Sequence, residues 1–197
     1  MWSSLVSVQF DMNVDYKSPK LAPLIVDRAL TWAGVSSKSD VSLVIGEAMR
    51  LIGEGARDEE FIQWCRNSHG SNDLNFIDKR WARLIYGSLL LATYADRQRE
   101  SNLLDAELRP YWRYFAGSEH CAGHAPLNGY IARWDSTIWE FIYPPNGWMC
   151  GCAVLSLSED DLEIKSAKQR RVSERMKQRC TQWIDKRPVR QLGLLAR

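Results

Sequence analysis

Three of the five cysteines and two of the three histidines in this 197-residue chain fall between Arg109 and Cys152. Cys121 and His124 form one short pair, and Cys150 and Cys152 form another after 25 intervening residues. Gly and Pro punctuate both pairs, so each reads as loop sequence. Thiolate and imidazole are soft donors that favour zinc over magnesium or calcium. Two such pairs, brought together by an intervening strand and turn, meet the needs of a tetrahedral Zn²⁺ site. His120 stands beside Cys121 and is an alternative to His124 as a ligand. The spacing differs from that of a strict zinc finger, and two other readings stand beside zinc. Cysteines also serve as small buried hydrophobes, and a disulfide is the third option. A catalytic zinc would need an open coordination position and a nearby base. Glu119 is the only acid adjacent to the cluster.

A second concentration of chemistry lies at the C-terminal end. From Lys165 to Arg197 there are eleven Lys or Arg against two acids, Glu174 and Asp185. The whole chain carries only +2, so the part that precedes this tail is net acidic. Lys165, Lys168, Arg170, Arg171, Arg175, Lys177 and Arg179 are candidates for contact with a phosphate backbone or an acidic protein surface. No base-reading motif accompanies them, so any contact with DNA is expected to be non-specific. The competing reading is a solvated helical tail docked on the body by Met176 and Trp183. His69 lies in a polar loop with no Cys, Ser or acid at catalytic spacing, and reads as solvated. The P-loop, dinucleotide, nucleophile-elbow and H-E-x-x-H patterns are all missing.

These residues need elements to hold them. Hydrophobic content of 45% and charged content of 25% are ordinary for a globular protein, but nine Trp is high and points to an aromatic-rich core. Leu5 to Phe10 alternates as a short strand or a subunit-pairing arm, and Ser18-Pro19 breaks the chain after it. Pro23 to Ala33 is a helix candidate ended by Gly34. Val41 to Ile52 is a second, with Ser39 or Asp40 as N-cap, Leu43, Val44, Ala48 and Leu51 on its apolar face, and Gly53 and Gly55 ending it. Asp58 to Cys65 opens a third. Asn75 to Leu104 is the longest, with Phe76, Trp81, Leu84, Ile85, Leu89, Ala92 and Tyr94 as a broad stripe, and Gly87 as a site of close packing or a kink. Arg109 to Phe115, Gly129 to Ala132 and Cys152 to Ser156 read as strands. Trp134, Trp139 and Trp148 fall in a connecting loop and are expected to cap the β unit. Lys165 to Ile184 reads as a helix stopped by Pro188. The fold class is therefore α+β. The divisions are an N-terminal arm (1–20), a helical region (21–108), a small β domain with the Cys/His cluster (109–162) and a basic C-terminal tail (163–197). No secretion signal is expected, nor a membrane span, which takes about 18 or more apolar residues. An odd cysteine count at these spacings points to a reduced, cytoplasmic setting.

The run Tyr143-Pro144-Pro145-Asn146-Gly147-Trp148-Met149-Cys150-Gly151-Cys152 resembles the terminal signature of the phage-Mu-type minor head protein F, or phage head morphogenesis, family. A Leu-Ser-x-x-x-Leu tail follows as Leu157 to Leu162. Upstream, the family's short motif has its counterpart in His124 to Gly129, and its helical Ala-Tyr-x-x-x-Arg element in Thr93 to Arg97. The resemblance runs from about Ile85 to Leu162. The chain departs from it where relatives carry Asp-x-Arg, having Ala116 to Glu119 instead. The resemblance implies a non-enzymatic minor capsid protein of a tailed phage or prophage, made in the host cytoplasm and placed in the head near the portal, the major capsid protein and packaged DNA. The alternative, resting on the Cys–His cluster, is a metal-dependent hydrolase or nuclease.

Overall fold

A computed structural model describes residues 30–35, 37–67, 77–117, 119–161, 171–188, 191, 193 and 195. The proposed arm and the polar loop around His69 lie outside the described residues, as do most of the first helix candidate, Phe76, Lys165, Lys168 and Arg170.

The helical half begins with a short helix, α1 (Leu30–Trp32). Gly34, at φ 92°, turns the chain, and the Val35 N–H closes back on the Leu30 carbonyl at 2.8 Å. That left-handed stop is the one expected of Gly34. Helix α2 spans Lys38–Glu54, with Ser37 in the N-cap position and Gly55, at φ 73°, in the C-cap. It thus starts earlier than Ser39 or Asp40 would place it, and runs through Gly53. Its buried stripe is Val41, Val44, Ile45, Ala48 and Leu51. Leu43 was expected on that face but is 51% exposed, because it falls about 100° of helix rotation from Val44. Helix α3 (Asp58–Asn67) opens with Asp58, Glu59 and Glu60, charges that suit a helix N-terminus, and buries Phe61, Ile62 and Cys65.

Helix α4 (Lys79–Leu104) is the spine. Asp78 caps it, its carboxylate accepting from the backbone N–H groups of Arg80 and Trp81 at 2.8 and 2.9 Å. The cap explains why the helix starts at Lys79 rather than Asn75. Trp81, Leu84, Ile85 and Leu89 are buried as their 3.6-residue period predicts. Tyr94 is not on the buried stripe and is 59% exposed. Asp58 receives the Arg83 guanidinium at 2.9 Å, tying α3 to α4.

The second half is a three-stranded antiparallel sheet in the order β2-β1-β3, with β1 (Tyr111–Phe115), β2 (Ile131–Arg133) and β3 (Ala153–Leu157). Trp112 pairs with Ala132 on one side and Ser156 on the other, and Tyr114 pairs with Val154. Alternation along β1 sends Trp112 and Tyr114 into the core. A nine-residue 3-10 segment, Glu119–Leu127, and helix α5 (Ile138–Ile142) fill the long connections. Trp139 therefore sits on a helix, not in a loop, and buries against Trp112, Tyr130 and Tyr143. Trp134 is 37% exposed and belongs to neither apolar core among the described residues. Asn102 of α4, itself buried, donates to the Val154 carbonyl at 2.9 Å and joins the spine to the sheet. Helix packed on a small antiparallel sheet is the α+β class expected.

Two apolar cores result. One is helical, built from α1 to α4 together with Trp148 and Trp183. The other lies under the sheet and contains Trp112, Tyr114, Leu127, Trp139, Ile142, Cys150, Cys152, Val154 and Cys180. Trp148 was expected to cap the β unit. It instead enters the helical core, packed between Trp32 and Trp183 with ring centroids 5.6 and 5.5 Å away.

Helix α6 (Glu174–Thr181) is capped by Ser173, whose hydroxyl accepts from the Met176 N–H. A short 3-10 turn, Trp183–Asp185, follows it. Cys180 is fully buried in the sheet core and Trp183 is 5% exposed in the helical core. Residues 171–188 are thus not a projecting extension but part of the body. Among the described residues no helix is long and apolar enough to cross a membrane.

Candidate metal centre

The turn that carries Cys150 and Cys152 is fixed from both sides. Asn146 is almost fully buried, and its amide donates to the Ile142 carbonyl and to the Tyr114 hydroxyl, the latter at 3.0 Å. Gly147 lies against His124, where an added Cβ would come within 3.3 Å of Cε1. Met149 adopts a left-handed backbone, φ 54°, unusual for a residue with a side chain. Its N–H donates to the Ser88 hydroxyl of α4 at 3.1 Å, and its thioether lies over Gly87. That twist lets Trp148 enter one core while Cys150 enters the other.

His124 arrives from the opposite side. Leu127 anchors the 3-10 segment in the sheet core, and the Asn128 side-chain oxygen accepts from the Ala116 N–H at 3.0 Å. His124 Nδ1 then lies 3.5 Å from Cys152 Sγ and 3.9 Å from Cys150 Sγ. The three donor atoms all fall within 4.8 Å of one another. Tetrahedral zinc, with Zn–S near 2.3 Å and Zn–N near 2.05 Å, requires S···N separations of about 3.6 Å. The separations seen straddle that value. All three residues are buried, at 7%, 3% and 6% exposure for His124, Cys150 and Cys152.

Two donors converge on Cys152 Sγ. The Gly117 N–H reaches it at 3.4 Å, and the Tyr114 hydroxyl, itself held by Asn146, is hydrogen-bonded to it. Burial, and then Cys150 and Cys152 alongside, push the Tyr114 hydroxyl's pKa far above its ordinary value. Gly117 reaches the sulfur only because it has no side chain. A Cβ there would lie 2.4 Å from the Gly151 carbonyl oxygen.

The structure thus brings together three of the four expected ligands. Cys121 lies on the same 3-10 segment as His124, three residues earlier. The side chains of Glu119, His120 and Cys121 are outside the described residues. Cys65, Cys150, Cys152 and Cys180 form no disulfide. Tyr114, Gly117, Asn146 and Gly147 were not foreseen as parts of the site. Tyr114 reads in sequence as one more strand aromatic, and a glycine before a loop carries no sign of what will approach it.

The candidate basic contacts fare differently from one another. Arg171 and Arg175 are exposed. Lys177 pairs with Glu174 at 2.7 Å and lies over the Phe141 ring. Arg179 donates to the Gly123 carbonyl at 3.1 Å, one residue before His124.

Comparison with known proteins places the chain among relatives. It is 27% identical over 155 residues to the Mu-like prophage FluMu F protein of Haemophilus influenzae, an alignment covering 72% of this chain and 37% of that protein. It is 26% identical over 149 residues to the putative capsid assembly protein F of Escherichia phage Mu, covering 66% of this chain and 34% of that one. The resemblance to phage-Mu-type F proteins seen in the sequence is thereby shown. The chain spans about a third of the length of these curated relatives. No family model matches it, and no solved structure matches it.

Proposed function

We propose, from this kinship with the Mu-type F proteins, that the chain works in assembling the head of a tailed phage or prophage, as a minor capsid component and without catalysis. The observation that carries the reading is the likeness over 66% of the chain to a protein named for capsid assembly. In this reading the protein is made in the host cytoplasm and ends in the virion. Its partners are the portal, the major capsid protein, or both. The exposed Arg171 and Arg175 suit an acidic surface or the phosphate backbone of packaged DNA. The competing reading, a metal-dependent hydrolase or nuclease, calls for a coordination position open to substrate. His124, Cys150 and Cys152 are all buried, which favours a structural role for the cluster.

The test is deletion of the gene from the phage or prophage that carries it, with complementation in trans. The expected outcome is a fall in DNA-filled, infectious particles, restored by the complementing copy, with the protein found in purified heads. Normal yields of infectious particles that lack the protein would overturn the proposal.

A further inference from the structure

We infer that His124, Cys150 and Cys152 ligate one Zn²⁺ through Nδ1 and two Sγ atoms, in a buried site that locks the 3-10 segment Glu119–Leu127 against the Cys150–Cys152 turn and so seats helix α6. The inference stands apart from the role in head assembly and does not depend on it.

Three observations support it. The first is the donor geometry, with S···N separations of 3.5 and 3.9 Å and all three donor atoms within 4.8 Å of one another. Buried thiols that serve only as hydrophobes have no need to turn toward one imidazole nitrogen.

The second is the hydrogen bonding of Cys152. A neutral thiol sulfur is a weak acceptor. Here a backbone N–H and a tyrosine hydroxyl both aim at it. Converging donors are what a metal-bound thiolate collects, since they spread its negative charge and hold it in place. Asn146 in turn orients the tyrosine. The arrangement therefore extends outward from the ligands, as the hydrogen-bond partners that hold metal ligands in place do.

The third is the place of the site in the chain. The 3-10 segment runs for nine residues, beyond the usual run of about three or four, with poorer hydrogen-bond geometry than an α-helix, and Pro126 lies within it. Helix α6 nevertheless rests on it. Arg179 bonds the Gly123 carbonyl, and Cys180 fills the sheet core beside Cys150 and Cys152. A metal joining His124 to the turn would fix the surface on which α6 sits. A cleft of about 190 Å³ between α4 and β3, lined by Tyr94, Gln98 and Pro144, also borders Cys150 and Cys152.

The experiment uses the full chain expressed with zinc. Metal content by mass spectrometry should be one zinc per chain. Replacement by Co²⁺ should give the intense visible bands of a tetrahedral ion and near-ultraviolet thiolate-to-metal charge transfer. Cys150→Ser and Cys152→Ser should abolish both signals, and Cys65→Ser should leave them intact. Because the ligand variants can fail to fold, Tyr114→Phe serves as a second probe. It keeps every ligand and should weaken zinc binding by about 10-fold in competition with a chelator. Stripping zinc from the wild-type chain should speed amide exchange in both the 3-10 segment and α6, with α2 and α3 unchanged. A folded wild-type chain without stoichiometric metal would overturn the inference. So would an octahedral cobalt spectrum, retention of metal after loss of both cysteines, or unchanged exchange in α6 on stripping.

Discussion

Gly117 and Gly151 cross so closely that the backbone of one fills the space where the other's side chain would stand. The contact is between main-chain atoms, which cannot rotate away as a side-chain tip can. Gly117→Ala should therefore destabilise the fold by about 1–3 kcal/mol, the usual range for overpacking, as read from chemical denaturation. A substitution without effect would mean that this crossing is looser than described. The same residue shows what sequence can and cannot disclose at this scale. Cys150, Cys152 and His124 were legible because their side chains are rare and their spacing short. Gly117 and Tyr114 were not, because their part depends on what tertiary folding brings to them. Cys65 has a different character from the clustered thiols. Burial pushes its pKa up to about 12, so it stays a protonated, inert member of the helical core.

At the scale of the element, α4 is governed by its cap and its gap. The Asp78 carboxylate works against burial, which alone would raise its pKa. The backbone N–H of Trp81 and the Arg80 side chain and N–H outweigh that and hold it below the ordinary carboxylate value. Asp78→Ala should cost about 1 kcal/mol at neutral pH. A carboxyl held low contributes fully above its unfolded pKa, and the contribution fades as pH falls through the lowered folded value. The difference between Asp78→Ala and wild type should accordingly shrink in acid, which urea melts at several pH values would record. The gap is Gly87. A Cβ there would meet the Met149 sulfur at 2.4 Å, but that sulfur ends a flexible side chain. Gly87→Ala should destabilise, and Met149→Ala in the same chain should recover part of the loss, a non-additivity measurable in a double-mutant cycle. The stripe of α4 was readable from its period. Its start was not, because a cap at Asp78 overrides the propensity of the residues before it.

For the whole molecule, the C-terminal part is where sequence misleads. Charge dominates the residue count after Lys165, and a count treats Cys180 and Trp183 as two minor apolar residues. Burial is by area, however, and Trp183 alone supplies a large share to the helical core. Trp183→Ala should cost about 3–5 kcal/mol, the range for removing a buried tryptophan. Truncation of residues 171–197 should unfold the chain rather than leave a compact body. A truncated chain that melts cooperatively near the wild-type temperature would return the tail to the status of an appendage. The division into a helical region and a β domain also softens at this scale. Trp148 and Trp183 belong to one core while Cys150 and Cys180, only a few residues from each, belong to the other.

The Trp32–Trp148–Trp183 cluster has an optical consequence. Indole rings with centroids 5.6 and 5.5 Å apart, one pair tilted at 45° and the other nearly perpendicular, are close enough for their excited states to mix. Coupled chromophores produce a paired band of opposite signs in far-ultraviolet circular dichroism. The three rings come from α1, the turn before the cysteines and the segment after α6. The protein thus contains its own gauge of whether its two ends are seated. Trp183→Phe should weaken that paired band, leaving the share of the Trp32–Trp148 and Trp112–Trp139 pairs and the helical signal, and any partner that lifts the C-terminal segment should do the same without a mutation.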